Sequence, residues 1–404
     1  MSLVTLADVE RARVAIRGVV HHTPLTPSAT FSDLSGAEVA LKLENLQRTG
    51  SFKIRGAYNK IATLSPGERA KGVVAASAGN HAQGVALAAR LAGIPATIVM
   101  PKNAPISKAA AVRGYGAKLV PHGVDYAEAE EKAFEIQKET GATFVHAFND
   151  PAVIAGQGTL GLEILDDMPD VETVVVPIGG GGLASGVGAA IKAKRPDVRV
   201  VGVVPEGAAS LPESLKKGAI VTLDRVQTIA DGLATRKVGS LTFDHIRKHV
   251  DDVAVVGDDE TAKAILLLLE RAKTVVEGAG AVGLAAILSG RVKLDGRKTV
   301  VILSGGNIDV TLLDTIIQRG LVRTGRSLSL ATVVDDKPGA LRDLLGVLAA
   351  LGANVEAIEH DRARLDVGVG RARVLVRLAT RGPEHVEEIL AALAAKGYAT
   401  DADP

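Results

Sequence analysis

The sequence predicts an α/β protein built on parallel sheets, followed by a small βαββαβ, ferredoxin-like module. Three observations predict it. Short apolar runs alternate with Ala-, Leu-, Glu- and Lys-rich stretches over most of the length, glycine-rich loops directly follow several of those runs, and the pattern changes after residue 325. Near-continuous apolar runs suit strands buried on both faces, and parallel neighbours need a helical crossover between them.

In chain order, strands are expected at 73–76, 96–100, 117–120, 143–146, 173–178, 198–204, 253–256 and 299–303. Helices are expected between them, at 81–92, 127–139, 152–165 and 261–270. In such sheets ligands sit at the carboxyl ends of strands, where the next loop opens a helix. After the polar break RTGR at 323–326 the order becomes strand 328–334, helix 340–351, strand 354–359, strand 373–379 and helix 383–396, with a polar Arg/Asp/Gly stretch before the third strand. That order suits a split βαβ module of independent size. The expected division is a catalytic region over 1–322 and a module over 328–402.

Composition removes several functions. The 404 residues carry 47 Lys+Arg against 46 Asp+Glu, which leaves no general electrostatic reason to bind nucleic acid or a membrane surface. Aromatic residues at 2% leave no base-stacking platform. The absence of Cys excludes disulfides, zinc ribbons, iron–sulfur clusters and thiol catalysis. No apolar run approaches the ~18 residues that span a bilayer, and the first residues lack the apolar core of a signal peptide. A cytoplasmic protein is expected.

Four loops carry the chemistry. Gly179, Gly180, Gly181 and Gly182, with Leu183 behind them, follow the apolar run TVVVPI. Four glycines in a row make sense where backbone N–H groups must approach a ligand, and a helix starting near Leu183 adds its positive end, so the loop reads as a phosphate cradle. SAGNHAQG, beginning Ser77, Ala78, Gly79, Asn80 and His81, bares backbone at a second helix start, a natural seat for a carboxylate; Asn80 and His81 also suit ordinary capping. Lys53, in TGSFKIRGA, becomes an amine nucleophile and a base if it is buried beside an apolar ring. Ser304, in SGGN, stands at the end of a strand, either to reach a ligand edge or to cap a helix.

EGAGAVG, from Glu277, contains a formal G-x-G-x-x-G, but no full strand precedes it and the next acid, Asp295, lies before the following strand rather than at its end. Nicotinamide chemistry is therefore set aside. Of the nine histidines, only His245 and His249 share a helix spacing, and with Arg247 and Lys248 between them they are expected to form a solvated stripe rather than a metal site.

Lys53 in SFKIRGA, SAGNHAQG, the tetraglycine loop, EGAGAVG and SGGN occur in the order and rough spacing of the fold-type II (tryptophan synthase β-like) pyridoxal-phosphate enzymes. The resemblance is closest to the threonine dehydratases (threonine ammonia-lyases), with serine racemases near relatives. It covers essentially the whole chain, because DDKPGAL and LGANVEAIEHDR in the tail resemble an ACT-type regulatory domain.

The resemblance implies a two-domain catalytic region, its smaller subdomain (roughly 50–150) inserted in the larger. It implies that Lys53 forms a Schiff base with pyridoxal 5'-phosphate, that Asn80 bonds the cofactor's phenolic oxygen, and that Gly179–Leu183 hold its phosphate. Ser304 would face the pyridine nitrogen. The Ser77–His81 backbone would bind the substrate carboxylate, and Glu277 would line the cofactor site. The implied reaction is L-threonine to 2-oxobutanoate and ammonia, with L-serine to pyruvate beside it. Serine dehydratase or racemase activity is the alternative, and an inactive amino-acid-binding regulatory protein a more distant one. Where serine racemases bind a divalent cation, this chain has Val204 and Ser210, with Glu206 nearby, so no metal is expected. ACT-type modules usually pair and bind amino acids, which implies a homo-oligomer, a tetramer by resemblance. A branched-chain effector such as isoleucine is implied near Asp336–Gly339 and Asn354, as in isoleucine biosynthesis.

Overall fold

The computed structural model describes residues 2–363 and 366–403; Met1, Pro404, and Arg364 and Leu365 of the polar stretch lie outside the described residues. Contacts divide the chain into two units, Met1–Asp309 and Val310–Pro404.

In the first unit, β1 (Leu25–Pro27) and β2 (Val39–Lys42) come first. β3 (Val73–Ala76), β4 (Ala96–Met100), β5 (Lys118–Pro121) and β6 (Thr143–Phe144) follow. Then come β7 (Thr173–Pro177), β8 (Arg199–Pro205), β9 (Asp252–Val256) and β10 (Thr299–Ile302). Two sheets form, ordered β1-β2-β10-β7-β8-β9 and β5-β4-β3-β6. Every pairing is parallel except β1 with β2. All residues of β2, β3, β7 and β10 are buried, the signature of strands covered on both faces. Each sheet has its own apolar core: Val174, Val176, Val200 and Ile302 in the larger, Ile54, Ala75, Val85 and Ile98 in the smaller. β1 and β2 are too short to stand out as sequence, and were not expected.

The helix Pro151–Asp167 starts by ordinary capping rules. Asp150 accepts from the N–H groups of Ala152 (2.8 Å) and Val153 (3.1 Å), with Pro151 as the first residue of the helix Pro151–Asp167. That helix lies between the two sheets' cores, contributing Val153 to the smaller and Leu160 to the larger. The expected helix at 261–270 is α-helical only over Asp258–Leu267 and widens to a π turn over Leu268–Ala272.

In the second unit, a helix Val310–Arg323 precedes β11 (Ser327–Asp335), β12 (Asn354–Asp361), β13 (Arg371–Ala379) and β14 (Thr400–Asp403). These strands form an antiparallel sheet in the order β12-β13-β11-β14, and with the helices Ala340–Ala350 and Pro383–Ala395 they run βαββαβ along the chain. The helix Val310–Arg323 falls in this unit, where the sequence pattern predicts a first region that runs to 322.

Candidate active site

The loops singled out in the sequence leave carboxyl ends of strands. β10 and β7 are parallel neighbours; Ser304 leaves one and Gly179 the other. Ser77 follows β3, and Ala147 and Phe148 lie just beyond β6. The segment after β2 reaches the same place: Phe52 N–H donates to the Ser304 carbonyl (3.1 Å), Gly306 N–H to the Gly50 carbonyl (2.8 Å), and Ser51 bridges Gly305.

Lys53 is the first residue of the helix Lys53–Ala62. Its Nζ donates to the Ala147 carbonyl at 3.1 Å and lies 5.1 Å from the Phe52 ring centroid. Burial pushes its ammonium down to about 8, with Glu277 pulling the other way. Phe148, next to Ala147, packs against the tetraglycine loop, where a Cβ on Gly180 would meet its ring at 2.3 Å.

The loop turns at Gly181, whose φ of +96° belongs to glycine, and the helix Gly182–Lys194 begins one residue earlier than expected. Thr242 Oγ1 donates to the Gly180 carbonyl at 2.7 Å. In a trans peptide the N–H of Gly181 points opposite to that carbonyl, away from Thr242. The loop is thus held by its oxygen with a donor turned outward at a helix N-terminus.

Asn80 opens the helix Asn80–Ala92, with Gly79 in the N-cap position and no side chain capping it. Gly79 N–H donates to Ser77 Oγ at 3.1 Å. Asn80 Nδ2 donates to Glu277 Oε1 (2.6 Å), and its Oδ1 accepts from Asn307 Nδ2 (2.7 Å). Glu277 ends the loop before the helix Gly278–Leu288, and burial pushes its carboxyl up to about 7 against the Asn80 hydrogen bond and the Lys108 and Lys53 charges. Ser304 is buried and its Oγ donates to the Ala279 carbonyl at 3.2 Å. No helix starts until Val310, so Ser304 caps nothing.

The site therefore brings Lys53, Asn80, Glu277 and Ser304 together, with the glycine loop tied in through Phe148. His81 turns away: it is buried, its Nε2 contacts the Val145 carbonyl at 2.8 Å, and burial with the nearby Lys53 charge holds it down to about 3. Sequence reasoning missed Phe148, just past the expected strand 143–146, and His146, the last residue of that strand, whose ring meets the Phe148 ring edge-on with centroids 4.6 Å apart; neither belongs to a motif. It also missed Asn307, which the SGGN motif contains. The His245 expectation is overturned: its side chain is fully buried, accepting from Val4 N–H at 3.0 Å, because the helix Ser240–His249 packs its His245 face inward while Arg247 and Lys248 are exposed. Among the described residues no group of three or more His, Cys, Asp or Glu is placed to hold a metal ion.

These residues fit an aldehyde cofactor that carries a phosphate. A half-buried amine with a depressed pKa is available to a carbonyl, a helix N-terminus of glycines is available to a dianion, and the buried Ser51 Oγ has no hydrogen-bond partner within the protein. The fold and the site define a fold-type II pyridoxal-phosphate enzyme. A family model described as "Pyridoxal-phosphate dependent enzyme" matches residues 16–305 and one described as "ACT domain" matches 329–395, and the chain belongs to the pyridoxal-phosphate dependent enzymes with a C-terminal ACT domain. It is 54% identical over 396 residues to an L-threonine ammonia-lyase of Thermotoga maritima, covering 98% of each chain. Among solved structures, a maize serine racemase matches with a TM-score of 0.76 and 40% identity over 80% of this chain and 99% of that one. A threonine deaminase isoform from Solanum lycopersicum matches with a TM-score of 0.73 and 38% identity over 78% of this chain and 92% of that one.

Proposed function

We propose that this enzyme dehydrates and deaminates L-threonine to 2-oxobutanoate and ammonia, and L-serine to pyruvate. The observation that carries the reading is the likeness to the Thermotoga maritima L-threonine ammonia-lyase, which runs through both units, whereas the maize serine racemase accounts for 80% of the chain.

Bound pyridoxal phosphate supplies an aldehyde that takes up amines and a conjugated ring that delocalises charge from the α-carbon. Lys53 Nζ would hold that aldehyde and is the amine available as base for the substrate's α-proton. The N–H groups of the Gly179–Leu183 loop would hold the phosphate, and Asn80 Nδ2 would donate to the phenolic oxygen. Ser304 would face the ring nitrogen with a neutral hydroxyl whose proton is given to the Ala279 carbonyl, so the chain would offer that nitrogen no acid. The start of the helix Asn80–Ala92 receives the substrate carboxylate. Threonine and serine differ by a methyl group, which a pocket separates by only ~10–200-fold, so both are turned over.

The reading extends to an amino-acid effector, isoleucine by class, bound by the ACT domain around Asp336–Gly339 and Asn354, and to a homo-oligomer in the cytoplasm. No helix among the described residues is long and apolar enough to cross a membrane. The test is a spectrum of the purified protein with pyridoxal phosphate, followed by L-threonine with 2-oxobutanoate assayed. A visible band absent from Lys53→Ala, with oxo-acid release, is expected; a colourless protein that releases none overturns the reading.

A further inference from the structure

Four residues from four separate segments form one hydrogen-bonded line across the site. The Thr49 carbonyl accepts from Asn307 Nδ2 at 2.8 Å, the same Nδ2 donates to Asn80 Oδ1 at 2.7 Å, and Asn80 Nδ2 donates to Glu277 Oε1 at 2.6 Å. An asparagine amide has a donor end and an acceptor end, and only its partners decide which way it points. Here the choice is forced from one end. A backbone carbonyl only accepts, so the Asn307 nitrogen must face Thr49; Asn80 must then turn its oxygen to Asn307 and its nitrogen to Glu277. Reversing Asn80 alone would set two nitrogens against each other at one end and two oxygens at the other. Gly50 leaves room for this: a Cβ there would lie 2.5 Å from Asn307 Oδ1, and its φ of +67° suits glycine.

We propose that Asn307 is a positioning residue that fixes the direction of the Asn80 amide, so that the site presents an N–H rather than a carbonyl oxygen to the phenolic oxygen of the cofactor. The proposal rests on the reading of the site given above. A donor at that place stabilises the ionised oxygen, and an acceptor would repel it. Asn307 touches neither substrate nor cofactor in this role; it acts through Asn80.

The experiment titrates the cofactor-free protein with pyridoxal phosphate, then titrates the loaded protein with pH while following the visible band. Asn307→Asp is nearly isosteric but has no donor when ionised. It is expected to raise the cofactor Kd about 10-fold and to move the pH midpoint of the band upward by about one unit. Asn80→Ala should act in the same direction, and adding Asn307→Ala to it should change neither quantity further, because the second residue works only through the first. Should Asn307→Asp fold poorly, Asn307→Ala is compared in its place. Wild-type Kd and midpoint in the Asn307 variants, or full additivity in the double variant, overturns the proposal. So does a fall in thermal stability with Kd and midpoint unchanged, which makes Asn307 a structural residue only. A wild-type protein that takes up no pyridoxal phosphate is a different failure, that of the cofactor reading itself.

Discussion

Asn80 Nδ2 and Glu277 Oε1 lie 2.6 Å apart although 197 residues separate them in the chain. The contact does not keep Glu277 ionised, since burial pushes its carboxyl up to about 7. A carboxyl raised in the folded state binds a proton there that the unfolded chain releases near its ordinary 4.5. Its contribution to stability is therefore present at low pH, is lost as pH rises through the window from 4.5 to about 7, and stays lost above it. Glu277→Gln keeps an acceptor for Asn80 and removes the titration. Urea unfolding of the cofactor-free proteins at pH 5 and pH 8 should show the variant gaining on wild type by on the order of 2 kcal/mol at the higher pH. A difference that does not change with pH would refute the assignment.

Gly180 stands where Phe148 ties the glycine loop to Ala147, the residue whose carbonyl accepts from Lys53. Gly180→Ala places a methyl group 2.3 Å from the Phe148 ring, so ring or loop must shift. Overpacking of this kind costs about 1–3 kcal/mol. The cofactor Kd should rise about 2- to 10-fold if about half of that cost falls on the cradle. Gly67→Ala, where a Cβ meets nothing within 4 Å, is the control and should leave Kd as it was. Equal Kd values in all three proteins would mean that the loop does not hold the phosphate.

Two residues beyond Lys53, Arg55 is fully buried and donates to both Glu44 and Glu163, at 2.8 Å and 2.7 Å. Glu163 and Asp167 also take Lys42, at 3.2 Å and 2.8 Å, so one ion cluster ties the helix Lys53–Ala62 to β2 and to the helix Pro151–Asp167. Burial opposes ionisation of Glu44, yet the Arg55 guanidinium holds its carboxyl below the usual range. Its stabilising effect is present above that ordinary range and is lost as pH falls through the lowered value. Arg55→Met leaves the buried Glu44 without its cation, which costs about 3–5 kcal/mol. Thermal unfolding measures it, and a loss under ~1 kcal/mol would place little weight on the cluster.

Parallel strands and glycine loops were legible because each leaves a local signal: four apolar residues in a row at 73–76, four glycines after TVVVPI. Lys53, Asn80, Glu277 and Ser304 were legible as motifs, through their resemblance to a family, but their convergence was not. It depends on which strands become neighbours, as β10 does with β7 and β2, and no local pattern encodes that. The burial of His245 was misread for the same reason, since Arg247 and Lys248 next to it in sequence lie on the other face of the helix. Asn307 was quoted as part of SGGN and given no part, because its importance lies in the direction of a hydrogen bond to a residue 227 positions away.

The second unit should fold without the first. Its sheet buries Leu330, Val374 and Val376 against Leu344, Leu348 and Ile389 of its two helices, a core drawn entirely from residues beyond 327. Residues 310–404 expressed alone are expected to unfold in one cooperative transition with a urea m-value of roughly 1–2 kcal/mol/M, as for other domains of this size. Leu348→Ala, in a side chain with no exposure, should lower its stability by about 2–5 kcal/mol. The complementary fragment 1–309 contains every residue assigned to the cofactor and substrate. It should therefore release 2-oxobutanoate from L-threonine while losing any response to isoleucine that the full chain has. Regulation needs an effector that binds two states differently, and with the ACT domain gone no such difference remains. An isolated second unit without a cooperative transition, or a fragment 1–309 that still answers to isoleucine, would place the effector site elsewhere in the chain or make its core dependent on the first unit.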